Sequence, residues 1–144
     1  MNTHEAARRL LARSALILQE ARYLEGKEAW SLVIRRCQEA VELALKAALL
    51  WAGIEVPRVH DVGPILKEHT GRFPVSFQRL IPPLASISRA LRAERELSFY
   101  GDEQSGTPPE LLYTEVDAQE ALKNATEVLN TCQNLIALRE ADDG

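Results

Sequence analysis

The stretch from Tyr23 to Leu66, YLEGKEAWSLVIRRCQEAVELALKAALLWAGIEVPRVHDVGPIL, restricts the fold more than any other part of the chain. From about Lys27 to Ala52 it predicts one long helix. Trp30, Val33, Ile34, Cys37, Val41, Ala44, Leu45 and Ala48 recur on a single face, and Leu43, Ala47 and Leu50 widen that face. A helix that is apolar around most of its circumference must be covered from several sides, so this one is predicted to be central. Its polar residues are few and regularly placed: Arg35, Gln38, Glu42 and Lys46. Gly53 is the expected left-handed stop, and Pro57 marks chain that has left the helix.

The remaining segments predict helices that can surround it. A first helix is expected to be capped by Thr3, with Glu5 in its first turn, and to end at Gly26. Its stripe is Ala7, Leu10, Leu11, Ser14, Ile17, Leu18, Ala21 and Leu24. Asp61 can cap a short third helix ending at Gly71. Helix resumes after Pro74, where Pro82-Pro83 is expected to kink or split it, and continues to about Phe99 with Leu84, Ile87, Leu91 and Ser98 inward. Tyr100 to Tyr113 reads as a loop of about a dozen residues, long enough to raise a functional expectation. Thr114 caps the last helix, with Asp117 at the capping-box position. Ala118, Ala121, Leu122, Ala125, Val128, Leu129, Cys132, Leu135 and Ile136 then repeat at near-heptad spacing, and Ala141 to Gly144 reads as a frayed tail. No alternating strand pattern occurs. The predicted fold is one all-α domain over residues 1–144, an up-and-down antiparallel bundle of four main helices plus one short helix.

Composition narrows the function classes. A net charge of −4 argues against generic charge-driven nucleic-acid binding. The charge is uneven, however: Arg72, Arg79, Arg89, Arg92 and Arg95 face only Glu94 in their segment, so a local basic strip can still hold a phosphate or an acidic partner. The two cysteines, Cys37 and Cys132, fall in apolar stripes and form neither a zinc pattern nor a disulfide framework. No metal site and no cofactor are expected. No Gly-rich phosphate loop is present, because GIEVPRVHDVG lacks the Walker spacing and its Lys-Ser/Thr ending. Arg8, Arg9 and Arg13 interrupt any leader-like apolar run, and no apolar run reaches membrane-spanning length, so a cytoplasmic location is expected.

Gln38, Glu42 and Lys46 are four apart and share a stripe. They form either a solvated ridge with a Glu–Lys pair or the lining of a groove or seam. His60 lies before a predicted helix and either orders the link or contacts a ligand. Arg89, Arg92 and Arg95 form a drifting basic strip leading to Tyr100.

The run carrying Gln38, Glu39, Ala40, Glu42, Leu43, Lys46 and Ala47 resembles the signature helix of the HEPN domain family. Gly53 and His60 follow in the same order. Arg95 ahead of Tyr100-Gly101-Asp102 is similar to a segment of a prokaryotic subgroup, and Tyr113-Thr114 with Asp117-Ala118 opens the last helix as in many members. The resemblance implies a four- or five-helix bundle and usually a homodimer. It also implies a two-gene, toxin–antitoxin-like setting with a minimal nucleotidyltransferase as partner, and a nucleotide or RNA ligand. Ribonuclease members carry an arginine followed, after four to six residues, by a histidine. Here the histidines are His4, His60 and His69, none so placed, and Tyr100 stands where that histidine would be. A phenol titrating near about 10 is a poor proton shuttle at neutral pH. The expectation is therefore a non-catalytic HEPN protein with no confident catalytic residue. Gln38, Glu42, Lys46, His60, Arg92, Arg95, Tyr100 and Asp102 are its candidate ligand-binding residues. Two alternatives stand beside it: a metal-independent RNA-cleaving toxin using Arg95 and Tyr100 across a dimer groove, and a structural adaptor without ligand.

Overall fold

The computed structural model describes residues 2–143, with side chains described through Leu138. Four long helices dominate: α1 (Thr3–Gly26), α2 (Trp30–Trp51), α5 (Ile81–Ala93) and α7 (Glu115–Asp143). Three short helices link them: α3 (Gly63–Glu68), α4 (Val75–Gln78) and α6 (Leu97–Tyr100). Two 3-10 turns, Thr70–Arg72 and Pro109–Leu111, complete the order. Among the described residues there is no strand, only an isolated bridge between Asp102 and Thr107.

Helix α2 is central, as its apolar girth requires. It packs against α1, α7, α5 and α6, and Val33, Cys37, Ala44, Leu45, Ala47, Ala48 and Leu49 are fully covered. Small residues let α1 approach closely. Ala7, Ser14 and Ala21 on α1 are fully buried, and the Ser14 hydroxyl donates to the Ala40 carbonyl at 2.6 Å, which satisfies a polar group that burial would otherwise penalise.

Several element ends differ from the sequence expectation, each for a local reason. Asn2, not Thr3, caps α1, its side chain accepting from the Glu5 amide at 2.7 Å. The chain turns between α1 and α2 at Glu28, which has φ 59°, so α2 begins at Trp30 rather than Lys27. Gly53 does stop α2 at φ 74°. The third helix begins at Gly63, with Asp61 accepting from the Gly63 amide at 3.1 Å, and gives way to a 3-10 turn after His69. Pro82 and Pro83 sit in the first turn of α5, where no amide hydrogen bond is lost, so α4 and α5 are split and α5 itself is not kinked by them. A further turn at Glu94–Glu96 separates α5 from α6. The expected frayed tail is helical through Asp143, and Gly144 lies outside the described residues.

Candidate functional site

The polar stripe of α2 faces the link before α3 and the turn after α5. Glu42 is its hub. One carboxylate oxygen accepts from Gln38 Nε2 at 3.1 Å and lies 2.8 Å from His60 Nδ1, while the other accepts from Lys46 Nζ at 2.8 Å. An ionised carboxylate only accepts, so the short contact assigns the proton to Nδ1 and turns the other ring nitrogen of His60 away from Glu42. Arg95 enters from the α5–α6 turn: its guanidinium donates to Gln38 Oε1 at 2.6 Å and lies 3.9 Å from Glu42. Two basic side chains thus share one carboxylate. Burial pushes the Glu42 carboxyl up, but the hydrogen bonds from Lys46, Gln38 and His60 and the Lys46 charge outweigh it and hold the group below its ordinary value.

The cluster is largely enclosed. Gln38 is 2% exposed, and the side chains of Glu42, Lys46 and Arg95 are 11%, 12% and 17% exposed. His60, at 42%, forms the open edge. Two neighbouring arrangements fix the arms. Ser88 on α5 donates to Asp61 at 2.8 Å and accepts from the Val62 amide at 3.3 Å, which ties the His60 link to α5. Arg35 donates to the Arg95 carbonyl at 2.7 Å and lies 4.9 Å over the Phe99 ring, which ties the α5–α6 turn to α2.

The structure therefore brings together Gln38, Glu42, Lys46, His60 and Arg95. The other three candidates make their contacts elsewhere. Arg92 pairs with Glu96 at 2.7 Å toward solvent. Tyr100 is 63% exposed and meets Phe99 edge-on at 4.9 Å. Asp102 shapes the loop, accepting from the Gln104 amide at 3.0 Å and bridging Thr107. Sequence reasoning misses Arg35, Asp61 and Ser88 as site-builders. The signals for them were Arg35's membership in the sparse polar stripe of α2 and a serine interrupting the inward stripe of α5. Among the described residues no group of three or more His, Cys, Asp and Glu is placed to hold a metal ion. No described helix is long and apolar enough to cross a membrane.

The HEPN domain family matches residues 7–135, which is most of the chain and includes every residue of the cluster. The chain belongs to the HEPN family. The fold of this HEPN domain is also that of two solved structures. ST0689, an archaeal HEPN homologue, is 25% identical, with a TM-score of 0.69 over 90% of this chain and 97% of its own. TT1696 from Thermus thermophilus is 24% identical, with a TM-score of 0.74 over 93% of this chain and 98% of its own. No curated protein matches the chain. Within this HEPN domain His60, from the α2–α3 link, and Arg95 both approach the Glu42 carboxylate, and no histidine lies four to six residues beyond the arginine.

Proposed function

We propose that this HEPN domain is a non-catalytic binding module that takes a phosphate group of a nucleotide or of RNA at the Lys46–His60–Arg95 edge of the Glu42 cluster. One observation carries the reading: two cations, Lys46 and Arg95, share the single, mostly enclosed carboxylate of Glu42, beside a partly exposed imidazole. An incoming phosphate supplies a second negative charge and acceptor oxygens for the two cations, and Arg95 offers the planar fork suited to it. Buried ion clusters cost desolvation energy and are weak sources of stability, which favours a binding role over a purely structural adaptor. Assembly as a homodimer and pairing with a nucleotidyltransferase belong to the same proposal. The test is calorimetric titration with ATP and with a short single-stranded RNA. Both should bind, and Arg95→Met should weaken binding by about 10- to 100-fold, the loss of one charge-assisted contact. Unchanged affinity in Arg95→Met would refute the site.

A second reading rests on the His60–Glu42 contact. An imidazole and an arginine held on one carboxylate can support RNA cleavage. His60 takes the 2′-hydroxyl proton as that oxygen bonds to phosphorus, Arg95 neutralises the phosphorane, and the P–O5′ bond breaks as the leaving 5′-oxygen takes a proton from water. Here His60 replaces Tyr100 in the cleaving role, since Tyr100 packs on Phe99 instead. Incubating the titrated RNA with wild type and His60→Ala separates the readings: intact RNA in both supports the binding module, and cleavage lost only in His60→Ala supports the nuclease.

A further inference from the structure

Helices α5 and α7 both pack on α2 but make few contacts with each other, and between them lies an open groove of about 440 Å³. Its apolar lining includes the buried Ile34 of α2 and Leu91 of α5, with Ile87 of α5 and the more exposed Leu97 of α6. Its charged lining is of one sign: Glu94, Asp117 and Glu120, with no lysine, arginine or histidine among the described lining residues. These acids bond to neutral groups where their bonds are defined. Glu94 accepts from the Tyr113 hydroxyl at 2.5 Å, and Asp117 accepts from the Thr114 amide at 2.9 Å. Leu111 and Val116, neighbours in sequence of the lining residues Leu112 and Asp117, are 75% and 69% exposed. An open trough with an apolar lining and acids of one sign suits an amphipathic protein segment more than a small molecule.

We propose that this groove docks an amphipathic helix of a partner protein, with its apolar face on Ile34, Ile87 and Leu91 and its lysines or arginines against Glu94, Asp117 and Glu120. Charge complementarity selects a basic helix over an acidic one. The described long helices of this chain already turn their apolar faces to their own core, so a second copy has no such helix to offer. The docking is independent of the Glu42 cluster, whose residues do not line the groove.

The test uses the full chain and a fluorescein-labelled Leu/Lys amphipathic peptide of about fourteen residues, four helical turns, with a Leu/Glu peptide as its control. Ala90→Arg and Glu120→Lys, both at exposed positions lining the groove, place positive charge in it, and circular dichroism checks their folding. Fluorescence anisotropy should show binding of the Leu/Lys peptide alone, weakened about tenfold or more by either variant. Absence of binding, or equal binding by wild type and both variants, would overturn the proposal. So would sedimentation showing that wild type self-associates through this face and that Ala90→Arg releases a monomer that binds no peptide.

Discussion

Removing the Glu42 carboxylate would leave Lys46 and Arg95, with side chains 12% and 17% exposed, as like charges without their shared counter-ion. Glu42→Ala should therefore cost about 3 kcal/mol or more of unfolding free energy in urea at neutral pH, the usual penalty for breaking an enclosed ion pair from one side. The pH dependence has a definite sign. The folded carboxyl titrates below its ordinary 4.5, so its stabilisation is fully present above 4.5 and is lost as the pH falls through the lower folded value. The stability gap between wild type and Glu42→Gln should accordingly shrink in acid, and a gap that widens there would contradict the assignment. The two cysteines make a second test at this scale. Burial pushes the thiols of Cys37 and Cys132 up to about 12, so neither should react with a thiol reagent at mildly alkaline pH until the chain unfolds. The stripe Gln38–Glu42–Lys46 was legible in the sequence because helical spacing alone puts residues four apart on one face. The fate of Tyr100 was not, since its register after Arg95 says nothing of which way a short helix turns the ring.

Among the elements, the segment from α6 to α7 depends on a glycine and a cap. Gly101 has φ 78°, and a Cβ there would lie 2.4 Å from the Thr107 carbonyl oxygen, inside the Asp102–Thr107 bridge. Gly101→Ala combines backbone strain with a backbone clash and should cost about 2 kcal/mol or more, with faster amide exchange at Asp102 and Thr107. At the start of α7, the Thr114 amide and hydroxyl donate to Asp117 at 2.9 and 3.1 Å, and the Asp117 amide reaches back to Thr114 at 3.4 Å. Thr114→Ala should cost about 1 kcal/mol by chemical denaturation. This cap was readable from Thr114 and Asp117 alone because it is local. The α5–α6 break was harder to read. No proline or glycine marks Glu94–Glu96, and the turn is held from outside by Arg35 on the Arg95 carbonyl and by Tyr113 on Glu94.

For the whole molecule, the all-α bundle followed from the periodicity of α1, α2 and α7, and the central place of α2 from its apolar girth. The cluster did not follow in the same way. His60 and Arg95 reach Glu42 from distant parts of the chain only because the link before α3 is tied to α5 through Asp61 and Ser88, and α6 lies on α2. Such tertiary convergence leaves no spacing signature. It produces an enclosed group of charges that an apolar core could replace, and cores that replace such clusters often gain stability. On the proposed reading, the cations of the cluster are kept for a phosphate-bearing ligand. The deciding experiment is calorimetric titration of ATP into wild type and into a Glu42→Leu, Lys46→Met, Arg95→Met variant whose folded state is confirmed by thermal unfolding. Saturable binding to wild type, and none to a variant that melts no lower, is the expected result. Binding to both with equal affinity, or to neither, would contradict it.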